Sequence, residues 1–265
     1  MNIALRLAVG AGFLAFVLTV FRDIAPGMIF NLDAFLIVVG GTGLAVFVGF
    51  PLKRVKEAVR DVSDAFHDPA DRNQLIRTIV DMARVFRRAD IRSTETRIGE
   101  LQDPFLKRGL SLLLNRNDDD TIRSVLEREM MIRMINYNFT QNLLKTVARL
   151  TPSFGLAGTV ISLIRMFTNF RSMDEIAPLM GLALMSTLYG IILSNLIVLP
   201  LAAKMKERAI VSETLMNITI EGVLAIENME HPLNIEERLS GYAWNHEVNA
   251  PPARGKLVLA RGSHA

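Results

Sequence analysis

The chain contains no cysteine, which excludes disulfides, thiolate catalysis and cysteine-ligated metals. Histidine is scarce as well. His67, His231, His246 and His264 are scattered, and none sits in an H-E-x-x-H arrangement. No GxxxxGKS/T phosphate loop is present. An intrinsic enzyme is therefore not expected. The net charge is +3 and the pI about 9.4, but no interleaving of basic and aromatic residues or nucleic-acid-binding motif accompanies it. Nucleic acid is not an expected partner. The most telling gap lies in the four long apolar runs at residues 3–21, 34–52, 150–170 and 181–203: no Asp, Glu or His occupies the middle of any of them.

Each run is about long enough to cross a hydrocarbon core. Half of the residues are hydrophobic and the mean hydropathy is +0.29, yet 22% are charged, so the charge must be segregated. Of 30 basic residues, 19 fall in Lys53 to Arg149 and 7 in Lys204 to Arg261. The short connections at 22–33 and 171–180 hold only Arg22 and Arg171 against Asp23, Asp33, Asp174 and Glu175. The excess of basic residues on cytoplasmic loops places both termini and the large loop inside. There the cations hold topology and meet anionic lipid. Arg6 is a thin n-region and no small-residue cleavage site precedes Arg22-Asp23, so the first run reads as a retained anchor.

The expected fold class is an all-α membrane protein: four transmembrane helices, a helical cytoplasmic domain and long cytoplasmic extensions of helices 3 and 4. The expected division is 1–52 for spans 1 and 2 (an outer layer), 53–149 for the cytoplasmic domain, 150–203 for spans 3 and 4, 204–248 for a helical extension, and 249–265 for a flexible tail. In the loop, Val55, Val59, Val62, Ala65 and Phe66 recur at helical spacing, as do Leu75, Ile79, Met82, Val85 and Phe86. Asp103-Pro104 opens a short helix carrying Phe105, Leu106, Leu110, Leu113 and Leu114. Asn117-Asp118-Asp119-Asp120 is a strong helix start, since caps and acidic first-turn residues satisfy free amides and complement the dipole. No breaker follows until Pro152. Gly40, Gly41, Gly43 and Gly49 are expected to let another helix approach closely. The apolar stripes of two long helices demand partners, which points to oligomerisation.

TPSFGLAGTVISLIRMF at Thr151 to Phe167 and MGLALMSTLYGIILSNLIVLPLA at Met180 to Ala202 resemble the third and fourth spans of the MotA/PomA subunits of bacterial flagellar stators, in the superfamily that includes ExbB and TolQ. LIVVGG at Leu36 to Gly41, DPFLKRGLSLL at Asp103 to Leu113 and EGVLAIENMEHP at Glu221 to Pro232 extend the resemblance over roughly residues 32–242. Two pairs of spans around a large inner loop match the MotA/PomA branch rather than ExbB and TolQ. The resemblance implies a homopentamer around a dimer of a single-span MotB/PomB-like subunit. That partner carries an essential Asp and grips peptidoglycan, and flow of H⁺ or Na⁺ drives rotation against the C-ring protein of the flagellar rotor. No cofactor is implied beyond the transported H⁺ or Na⁺, and the remaining partners are membrane lipids. A non-flagellar ion-driven energy transducer of the same superfamily is the rival reading. Conduction across hydrocarbon needs a titratable or coordinating group near the midplane, and this chain supplies only hydroxyls and backbone. The carboxylate must come from a partner.

Residue by residue, the resemblance implies an ion pathway at Thr159 and Thr187, with Ser186 a further candidate. Hydroxyls there are hard oxygen ligands for a partly dehydrated cation; alternatively each bonds its own helix four residues back. Pro152 and Pro200 match the prolines at the inner ends of spans 3 and 4, where a missing N–H kinks the helix and gives conformation a place to change. Arg87, Arg88 and Glu95 align with the charged residues that contact the rotor. Arg165 is expected to snorkel to the outer interface, and Ser162 stands where relatives often have glycine.

Overall fold

The computed structural model describes residues 19, 31–67, 71–87, 91–115, 117–168 and 176–248. The first apolar run, Arg88 and the tail from 249 lie outside them. Among the described residues all regular structure is helical. It comprises α1 (Leu32–Gly49), α2 (Leu52–Asp64), α3 (Arg72–Phe86), α4 (Ile91–Glu100), α5 (Pro104–Leu114), α6 (Asp119–Thr168), α7 (Ile176–Ile192), a π-helical turn (Leu193–Val198), α8 (Leu199–Glu227) and α9 (Pro232–Val248). Among the described residues three helical stretches are long and apolar enough to cross a membrane: Leu32–Gly49, Asp119–Thr168 and Leu179–Glu227.

The chain divides into two compact units, one formed by 1–66 and 137–206, the other by 67–136 and 207–265. In the first, Asn31 caps α1 by accepting from the Ala34 N–H at 3.1 Å. The expected run to Leu52 stops earlier, because Phe50 is extended (φ −135°, ψ 140°): the residue before Pro51 is pushed out of helical geometry by the pyrrolidine ring. Packing of α1 on α7 brings Phe35 edge-on to Tyr189 and the Asn31 N–H onto the Tyr189 hydroxyl at 2.9 Å. Among the described residues Gly41 meets a neighbour, the ring of Phe154 on α6, whereas a Cβ at Gly40, Gly43 or Gly49 would meet none of them within 4 Å. In α2 Ala58 is buried, Val55 and Val62 are half-buried and Ala65 is buried at the C-cap, whereas Val59 and Phe66 are exposed. The apolar spacing there is thus partly inward, and Phe66 lies beneath the Lys204 ammonium. Asp61 anchors α2 by accepting from the buried Thr140 hydroxyl at 2.7 Å.

The second unit has an ordinary apolar core in which Ile79, Leu106, Leu110, Ile122, Leu126, Ile218, Val223, Ile235 and Leu239 are almost wholly buried. The expected start of α6 holds. Ile122 donates its N–H to the Asp118 carbonyl, and the hydrogen bond with the Thr121 side chain, first among its causes, holds the Asp118 carboxyl below the usual carboxylate range. α8 continues through Gly222, where a Cβ would collide with Ile79. This glycine is a packing device rather than a breaker. The turn after α8 is a Schellman motif, with Glu230 N–H bonded to Ala225 O and Met229 N–H to Ile226 O. Met229 takes the left-handed position at φ 52°.

Candidate functional site

Small residues recur every fourth position from α7 into the π turn, at Ser186, Gly190 and Ser194, and Thr151, Gly155 and Thr159 do the same on α6. That spacing puts each set on one helix face and lets two backbones touch. A Cβ at Gly190 would come within 2.9 Å of Thr151 O and 3.2 Å of the Gly155 Cα, and one at Gly155 within 2.8 Å of Ser186 O. Gly158 meets the Ser186 side chain in the same way.

This close approach brings Thr159 and Thr187 together. Their hydroxyl oxygens are 2.5 Å apart, and Thr159 Oγ1 also lies 3.2 Å from Gly155 O on its own helix and 3.0 Å from Ala183 O on α7. One proton cannot serve three acceptors. With Thr187 donating to Thr159, the Thr159 hydroxyl donates to one of the two carbonyls, so the pair bonds both within and across the helices. Both threonines are half-buried, whereas Ser186 is fully buried and donates to Gly155 O at 3.1 Å. Beside the threonine pair, three back and four ahead on each helix, stand Leu156 and Leu163 on α6 and Leu184 and Ile191 on α7, all exposed. Two hydroxyls thus sit in an otherwise apolar open stripe. From Leu150 to Ile164, and from Ile176 to Ala203, the sequence holds no charged residue or histidine.

Pro152 lies inside α6, and Pro200 follows the π turn that separates α7 from α8. The turn is bonded from Leu199 N–H to Ser194 O, five residues back. Widening a helix in this way accommodates a proline ring that would press on the carbonyl four residues before it. Arg165 is exposed in the last turn of α6, and Ser162 is buried within the unit, donating to Gly158 O at 2.8 Å. In the second unit Arg87 is exposed at the end of α3 and Glu95 is exposed on α4. The sequence reading missed α4, in which, among the described side chains, Ile98 is the one buried apolar residue, one turn beyond the buried Thr94. It also missed Gly155, Gly158, Gly190 and Ser194, although the four-residue recurrence of small side chains was a usable signal.

Long apolar helices with exposed apolar faces and closely packed small residues define a helical integral membrane protein. Residues 97–218 match the MotA/TolQ/ExbB proton channel family. The chain is 30% identical over 227 residues to the uncharacterized protein YtxD of Bacillus subtilis, covering 85% of this chain and 84% of that protein. It is 29% identical over 243 residues to the chemotaxis protein PomA of Vibrio alginolyticus, covering 91% and 95%. A chain in the structure of the flagellar MotAB stator complex from Bacillus subtilis superposes with a TM-score of 0.76 at 27% identity, covering 90% of this chain and 97% of that one. The chain belongs to the MotA/TolQ/ExbB proton channel family, on its MotA-like side.

Proposed function

We propose that this protein is the MotA-like subunit of a flagellar stator, working with a single-span MotB-like partner to couple the flow of H⁺ or Na⁺ to torque. The observation that carries the mechanism is the Thr159–Thr187 hydroxyl pair, set in an exposed apolar stripe whose two stretches, 150–164 and 176–203, hold no Asp, Glu, Lys, Arg or His. An apolar stripe of that kind suits a covering transmembrane helix, and a carboxylate on that helix would supply the titratable group which the stripe lacks. The threonine oxygens then offer ligands or hydrogen bonds to the ion as it meets the carboxylate.

In this reading five copies surround two partner helices, both termini and the second unit are cytoplasmic, and the second unit faces the rotor. Arg87, Arg88 and Glu95 steer that contact by charge, attracting enough to engage and weakly enough to release at each step. Pro152 and Pro200 give the lining helices joints about which they pivot. The motility and stator relatives favour flagellar work over another ion-driven system. The test is ion flux in vesicles that hold the chain and its co-expressed partner. Thr159→Ala is expected to cut flux and swimming while the complex still assembles; normal swimming by that variant would sink the proposed pathway.

A further inference from the structure

We infer that Ser194 is a positioning residue: its hydroxyl serves the backbone carbonyl that Pro152 leaves without a donor, and so ties the proline joint of α6 to the π turn beside Pro200. In an α-helix the carbonyl of residue 148 accepts from the N–H of residue 152. Residue 152 is proline and has no N–H. Ala148 is buried, out of reach of water, and an unpartnered carbonyl there would be costly. The Ser194 Oγ lies 2.6 Å from that carbonyl, reaching it from 46 residues away, and Ser194 is itself only 3% exposed.

The direction of this bond is unusual for the molecule. Thr151, Ser153, Ser162, Thr168, Thr214 and Thr219 all donate to the carbonyl four residues back on their own helix. Ser194 instead crosses to α6. Ser186 also crosses, to Gly155 O, but that carbonyl keeps the N–H of Thr159 in helical register and the Thr159 hydroxyl beside it. Its third donor is redundant, whereas at Ala148 the regular helical donor is the one that Pro152 lacks. Ser194 lies within the π turn, where its own carbonyl is bonded by Leu199 rather than by Val198. Asn195, next to it, directs its side-chain amide at Ile191 O. Side-chain donors thus gather where prolines disturb the backbone ladder. Any pivot of α6 about Pro152 relative to α7 must stretch the Ser194–Ala148 bond first.

The inference refines the role proposed above for the two prolines, but it is tested on stability rather than on ion flow, so either can fail without the other. The full-length chain is solubilised from membranes with any partner that co-purifies, and the thermal midpoint is read for Ser194→Ala, Pro152→Ala, the double variant, Ser194→Thr and Ser186→Ala. Ser194→Ala should lower the midpoint by roughly 3–8 °C, more than Ser186→Ala does, and Ser194→Thr should recover most of the loss. In the Pro152→Ala background the alanine at 152 returns a backbone donor to Ala148, so removing Ser194 should cost less than half as much. If Ser194→Ala does not accumulate at all, recovery of folded protein in the double variant supports the inference. An equal loss with and without Pro152, or no recovery, overturns it.

Discussion

The two units of this chain obey opposite rules about where apolar residues go. In the second, Ile79, Leu106, Leu110 and Leu239 are buried and the charged residues Arg123, Glu221, Glu230 and Arg238 form a surface network across α6, α8 and α9. In the first, Leu32, Phe35, Leu36, Leu44, Phe47 and Val48 stand exposed on α1 while Ser162, Ser186 and Ser194 are buried. Water drives apolar area inward in one unit. Lipid gives no such drive, so helices in the other associate through small residues, close backbone contact and hydroxyl bonds. The functional candidates follow from that second rule, because a hydroxyl can be held in an apolar helix pair only where another backbone group accepts its proton.

The largest expected effect breaks the small-residue rule. Gly190→Leu would drive a side chain into Thr151 O and the Gly155 Cα, so folded protein should be lost from the membrane. Gly43→Leu, with nothing within 4 Å among the described residues, should leave this packing intact; detergent-resistant folded yield distinguishes them. Next, Leu110→Ala should cost the second unit about 2–5 kcal/mol through an unfilled cavity. Leu44→Ala, at an exposed position, should change stability by less than about 0.5 kcal/mol. Equal losses in denaturant titrations would contradict the contrast.

Smaller effects sharpen the picture of the second unit. The folded Asp118 carboxyl titrates below its ordinary range because of its hydrogen bond with Thr121. Its contribution is therefore present above the unfolded pKa and lost as pH falls through the folded one. The stability gap between the parent and Asp118→Asn should be constant near neutrality and shrink in acid. Last, Met229→Gly should stabilise by about 1 kcal/mol, since glycine takes the left-handed position without the Cβ penalty. A loss instead would mean that the exposed Met229 side chain makes contacts outside the chain.

Much of this was legible along the chain. The cap at Asp118, the long helix through Pro152, and the core residues Ile79, Leu110 and Ile122 follow from local chemistry and period. The end of α1 did not, because the effect of Pro51 on Phe50 was outweighed by the apolar run around it. Helix α4 was hidden by its charge, since among its described side chains only Thr94 and Ile98 are buried. Thr159 and Thr187 were singled out by resemblance to related spans, but their separation of 28 residues says nothing about a shared hydrogen bond.

What the sequence determined by itself is the segregation of apolar from charged residues, the helical periods, the absence of Asp, Glu and His from the middle of the apolar runs, and the places where prolines remove donors. Those are properties of single residues and their near neighbours. Only the tertiary structure decided that Gly190 touches Pro152, that the two threonine hydroxyls meet, and that Ser194 answers the carbonyl at Ala148. Each of these is a bond or contact between helices, and its partner is chosen by which faces pack rather than by position along the chain.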